Sequence, residues 1–143
     1  MTPDLENRHT VTSGDAHTAS RPTRLWHGGA PGLSVGGRIL PSCMTGAPSN
    51  ADYGGGAVCR RDRVYLTVSR EQAAFYAALH PSGRGQVYEV EPVGEVVPDP
   101  DCNEPGFSWE AEEALIKRIR QVPASIREAA LAHACQVCAR RPR

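Results

Sequence analysis

Glycine and proline punctuate this chain so densely that no long helix can run through its middle. There are 14 glycines and 12 prolines in 143 residues. Proline removes a backbone donor and fixes φ, and glycine supplies the sharp turns. Such a chain folds into short strands joined by turns, not into a helical bundle. Its length suffices for one domain with a real core. Charged residues make up 22%, the formal net charge is 0 and the sequence pI is near 7.0, so bulk attraction to nucleic acid is not indicated. No apolar run approaches the ~20 residues that span a bilayer. The polar residues 1–24 contain no apolar core of a secretory signal, and the five cysteines are an odd number. Together these predict reduced thiols in the cytoplasm.

Read in order, the chain divides into three parts. Residues 1–23, with His9 and His17, hold almost no large apolar side chain and are expected to form a mobile leader. Residues 24–122 are expected to form the domain, and 123–143 a C-terminal helix and basic tail. Within the domain, Leu25 to His27 reads as a strand, 30–37 as a Pro/Gly turn, and 38–40 as a short extended piece ended by Pro41. Residues 42–56 read as a long loop. The β-branched and aromatic run Arg63 to Val68 predicts a strand. Ser69 with Gln72 has capping-box spacing ahead of a helix that reaches Leu79. Gln86 to Glu91 alternates as a half-buried strand ended by Pro92, and 93–97 is a second extended piece. Trp109 to Ile116 has a helix-like composition, yet 114–120 is read as the final strand. Ile126, Ala129, Ala130, His133 and Val137 lie at helical spacing in a last helix over 125–138. The resulting order predicts an α+β domain on a bent or split antiparallel sheet.

Three polar positions share one arrangement. His27 ends the strand Leu25-Trp26-His27 and precedes Gly28-Gly29, Tyr65 lies within a strand, and Asp99 is locked between Pro98 and Pro100. The imidazole can hydrogen-bond a ribose hydroxyl, the phenol ring can stack on a flat heterocycle, and the carboxylate can stabilise a developing cation. Each also has an ordinary structural reading: a strand end, a core tyrosine and a turn aspartate. Cys135-Gln136-Val137-Cys138 is a C-x-x-C without the second ligand pair that a zinc site needs. The reading of two plain thiols on a helix is therefore preferred. Arg140-Arg141-Pro142-Arg143 reads as a solvated tail.

The motifs resemble the ADP-ribosyltransferases of the rifampin-modifying type. Trp26-His27-Gly28-Gly29 with Gly36-Gly37-Arg38-Ile39-Leu40-Pro41 is similar to that family's opening His-Gly strand and following turn. Val64-Tyr65-Leu66-Thr67 and the helix after it resemble its tyrosine strand and helix. The closest likeness is Gly83-Arg84-Gly85 through Val90-Glu91-Pro92-Val93-Gly94 to Pro98-Asp99-Pro100. The resemblance implies a split β-sandwich with NAD, the ADP-ribose donor, in the cleft. It implies that His27 binds the adenosine-side ribose and that Gly28 offers backbone contacts to the nicotinamide amide. Tyr65 would stack on the nicotinamide ring, with Thr67 beside it in the cofactor site. Asp99 would be the acidic third member, and Glu110, Glu112 or Glu113 are the alternatives for that place. No metal is required.

The departures from the family pattern are the short stretch 102–107 and Ser108-Trp109-Glu110, which lacks the family's arginine. The resemblance therefore carries the reaction type and not the acceptor, which could be a small molecule, a protein side chain or a nucleic-acid end. Two other functions compete with it. One is a non-catalytic module that binds NAD or ADP-ribose. The other is a thiol- or zinc-dependent interaction protein that uses the C-x-x-C.

Overall fold

The computed structural model describes residues 22–46 and 60–139. Residues 1–21 of the expected leader, 47–56 of the expected loop and the basic tail 140–143 lie outside the described residues. Eight elements follow one another: β1 (Leu25–Gly29), β2 (Arg38–Ile39), α1 (Ser42–Thr45), β3 (Val64–Thr67), α2 (Arg70–Ala78), β4 (Gln86–Pro98), β5 (Ser108–Arg120) and α3 (Ala124–Ala139). The α+β reading holds. The strands form one antiparallel sheet in the order β2-β5-β3-β1-β4, and an added β5–β4 pairing closes β1, β3, β5 and β4 into a ring.

The frame of the ring is the β4–β5 hairpin, which pairs from Val87↔Arg120 to Pro98↔Trp109. Its register shifts between Glu89 and Val90 and again between Val93 and Val96. Bulges of this kind bend a strand, so one hairpin serves both sides of the ring. The first half of β4 pairs with β1 and the first half of β5 with β3.

Strand alternation divides the apolar residues between two cores. Leu25, Val64, Leu66, Tyr88, Val90, Trp109 and Ile116 fill the ring. Trp26 and Val87, one position along from Leu25 and Tyr88, face outward and meet Ala73, Ala74 and Ala77 of α2. The small alanines let α2 approach closely, and the strands contribute glycines to the contact. A Cβ placed on Gly28 would lie 2.7 Å from the Ala73 carbonyl carbon and 2.9 Å from the Ala77 nitrogen. One on Gly85 would lie 2.7 Å from the Ala77 carbonyl carbon. Arg127 of α3 closes the same corner by donating to the carbonyls of Gly83 and Gly85, both at 3.0 Å.

Several local expectations are corrected. Ser42–Thr45 is one helical turn, closed by Gly46 at φ +71°. Pro92 does not end a strand, because β4 is continuous through Pro98. Proline is tolerated there because β1 pairs no further along β4 than Val90, and the missing donor leaves no strand unsatisfied on that edge. The helix-like residues Trp109 to Glu113 belong to β5. Strand β5 lies between β3 and β4 at this point, and those two ladders outweigh the helical preference of Glu and Ala. In α3, Ala130 is buried but Ala129 is exposed.

Candidate active site

The site lies where β1 and β3 part. Only Trp26↔Thr67 pairs the two strands. Beyond it, the His27 ring takes over a bond that the ladder would otherwise supply: Nδ1 lies 3.0 Å from the main-chain oxygen of Tyr65. A carbonyl can only accept, so Nδ1 carries the proton. Burial lowers the pKa of His27 from the ordinary histidine value, the Tyr65 carbonyl opposing this more weakly. The imidazole is therefore neutral near pH 7, and its Nε2 presents a lone pair. The two glycines after it have different duties. Gly28 lets α2 approach, whereas a Cβ on Gly29 would stand 2.8 Å from His27 Nε2.

Tyr65 and Glu110 are direct cross-strand partners on β3 and β5, as are Val64 with Ala111 and Leu66 with Trp109. The apolar members of these pairs point into the ring core. Tyr65 and Glu110 therefore share the opposite, outer face. The Tyr65 hydroxyl accepts from the Arg60 backbone N–H at 2.6 Å. The Arg60 guanidinium is held by both oxygens of Asp62, at 2.8 and 2.6 Å.

Asp99 follows the last residue of β4, at the turn toward β5. Its Oδ1 accepts from the Asp101 N–H and its Oδ2 from the Ser108 hydroxyl, both at 2.9 Å. Its own N–H donates to the Ser108 carbonyl. Both carboxylate oxygens thus brace the turn, and each keeps a further lone pair. Thr67 is buried, and its hydroxyl accepts from the Ser69 N–H. Ser69 caps α2 as expected, accepting from the Gln72 N–H at 3.1 Å. The return bond to the cap nitrogen comes from Thr67, not Gln72.

The three glutamates that sequence leaves as alternatives fare differently. Glu112 is exposed, receives the Glu95 N–H and lies 3.8 Å from Arg63. Glu113 is bound to Arg38 at 2.6 Å. Glu110 is 3% exposed. Among the described residues nothing hydrogen-bonds or ion-pairs with its carboxylate. Desolvation first, and the nearby Asp99 charge second, raise its pKa above the ordinary carboxylate value; Arg60 and Arg63 oppose this. Next along β3 and β5 opens a cleft of about 490 Å³, lined among others by Arg38, Met44, Arg63, Val93 and Glu112.

The structure ties His27 to the Tyr65 main chain, sets Tyr65 and Glu110 opposite each other and puts Asp99 near Glu110. His27 itself pairs with Tyr88 on the face of the ring core, and Gly28 and Thr67 lie on β1 and β3. Sequence reasoning missed Ser108 and Arg60, which secure Asp99 and Tyr65. The Arg60-Arg61-Asp62-Arg63 charge cluster was the available signal for the second. Among the cysteines, Cys43 and Cys135 are exposed and Cys102 is half-buried, and all three are free. Among the described residues no group of three His, Cys, Asp or Glu side chains could hold a metal. No described helix is long and apolar enough to cross a membrane.

A family model described as rifampin ADP-ribosyl transferase matches residues 25–119. The match begins at β1 and ends one residue before β5 does, so it contains every residue of the site and leaves α3 outside. No curated protein matches the chain.

Proposed function

Since the chain belongs to the rifampin ADP-ribosyl transferase family, we propose that it transfers a single ADP-ribose from NAD to an acceptor, releasing nicotinamide. The observation that carries this reading is the bond between His27 and the Tyr65 main chain. It fixes the imidazole tautomer and leaves Nε2 as an acceptor, the state needed to take a hydrogen bond from a ribose hydroxyl. On the family likeness, the Gly28 backbone and Thr67 are assigned to the same ligand.

The Tyr65 ring stacks on the nicotinamide, its hydroxyl held by Arg60. Loss of nicotinamide makes C1′ of the ribose cation-like, and a carboxylate near that carbon lowers the barrier. Asp99 supplies this charge from a turn that cannot relax away from it. Pro98 and Pro100 stiffen that turn, and Ser108 and Asp101 hold the carboxylate. The acceptor enters from the cleft bounded by Arg63 and Glu112.

Purified protein incubated with labelled NAD, with and without cell extract, tests this. Nicotinamide release or label transfer that disappears in His27→Ala supports the reaction class. A clear NAD-induced rise in Tm without release favours a binding module, a reading that the bracing role of both Asp99 oxygens also fits. Neither turnover nor a thermal shift rejects both.

A further inference from the structure

Resting on the transfer reading above, we propose that Glu110 is the catalytic base that removes the acceptor's proton as its oxygen or nitrogen attacks C1′. Every other glutamate of the two long strands is half-exposed or exposed, and each has a partner. Glu89 meets Arg24 and Arg118, Glu91 meets Lys117, and Glu95 and Glu112 flank Arg63. Glu113 meets Arg38. Glu110 alone among them is buried, at 3% exposure, and makes no hydrogen bond or ion pair with any described residue, Arg60 and Arg63 acting on it only at longer range. An unpaired buried carboxylate opposes folding, so packing gives no reason for it.

Its position supplies one. It stands directly across from Tyr65 on the same face, and across from Val97 on β4, two residues before Asp99. The groups facing it are Asp99 from the turn after β4, Tyr65 from β3, and Arg60, Asp62 and Arg63 from the segment before β3. Asp99 braces the turn with both oxygens, whereas no described residue hydrogen-bonds to either oxygen of Glu110. Burial and the Asp99 charge make it a better proton acceptor than an exposed glutamate, closer to the working pH of a general base.

In the step, the nucleophile's O–H or N–H proton passes to a Glu110 oxygen. The nucleophile's freed electron pair forms the bond to C1′. The bond from C1′ to the nicotinamide nitrogen breaks, and its electron pair stays on that nitrogen and cancels the ring's positive charge.

Water serves as the probe nucleophile and azide as one that carries no proton to remove. With NAD in buffer, Glu110→Gln is expected to slow nicotinamide release by about 10²-fold and to lose the acidic limb of the pH profile. Added azide restores release in Glu110→Gln, with azido-ADP-ribose as product, but not in His27→Ala. In the unliganded parent protein, the Glu110 carboxyl followed by NMR titrates above the ordinary glutamate range. Unchanged hydrolysis in Glu110→Gln overturns the assignment. So does slow hydrolysis that azide does not rescue while NAD still raises Tm. A parent protein that releases no nicotinamide at any pH removes the transfer reading itself, and is told apart by its failure before any substitution.

Discussion

Replacing Gly28 by alanine separates two reasons for a glycine beside His27. If the residue is small so that a ligand can approach, alanine weakens NAD binding and leaves the fold alone. The structure gives a different reason: the added Cβ falls onto the Ala73 carbonyl group, 2.7 Å from its carbon and 2.9 Å from the Ala77 nitrogen. Both obstacles are helix backbone, which cannot rotate aside. The carbonyl oxygen lies nearest, so reaching ordinary contact requires α2 to retreat from β1 by roughly 1.5 Å. A gap of that size forfeits about half or more of each dispersion contact it opens. Those contacts join Ala73, Ala74 and Ala77 to Trp26 and Val87, the centre of the outer core. Overpacking costs typically about 1–3 kcal/mol, and a rigid obstacle puts Gly28→Ala at the upper end, about 3 kcal/mol. At about 4 °C per kcal/mol for a chain of this size, Tm falls by roughly 12 °C. Thermal unfolding followed by tryptophan fluorescence reads this directly, and Gly85→Ala behaves alike because it meets Ala77 from β4. Gly29→Ala meets only the movable His27 ring and costs far less stability. An unchanged Tm in Gly28→Ala, with NAD binding lost, would refute the packing argument.

Two further perturbations probe the same frame. Glu110→Gln removes a buried unpaired charge and is expected to stabilise the protein at pH 7.5 by about 1–2 kcal/mol. The pKa of Glu110 is raised in the folded state, so its support for the fold is complete only below the unfolded glutamate pKa of about 4.3. That support is lost as pH rises through the folded value. The advantage of Glu110→Gln therefore shrinks on acidification and vanishes below about pH 4; an advantage independent of pH would contradict it. His27 acts with the opposite sign. Its lowered pKa supports the fold above about pH 6.5, and this support is lost as pH falls through the folded value; it cancels in the comparison because both proteins carry it. Ser69→Ala removes the α2 cap and is expected to cost about 1 kcal/mol, read as a Tm decrease of roughly 4 °C; no decrease would mean that the helix terminus finds another acceptor.

Much of the architecture is legible from residues a few positions apart. The Ser69 cap depends only on Gln72, three residues on, and it forms. The alternation of Leu25 with Trp26 and of Val87 with Tyr88 assigns each to one of two faces, and each pair divides between the two cores. The α+β class and the ordered motifs that resemble the rifampin-modifying enzymes are likewise properties of the linear chain, and the family match falls on the same span. Trp109 to Glu113 misleads because its composition favours a helix in isolation, and nothing nearby in sequence announces that β3 and β4 will flank it.

By itself, the sequence determined where strands and turns could form and which residue types stood ready for chemistry: His27, Tyr65, Asp99 and three glutamates. Only the tertiary structure decided which of those glutamates is buried and unpaired. The desolvation of a carboxylate depends on which strands come to lie beside it, and Tyr65 and Val97, the residues that flank Glu110, are 45 and 13 positions away in the chain. The same holds for the two glycines after His27. Nothing in their local sequence tells them apart, yet α2 packs on one and the His27 ring lies over the other.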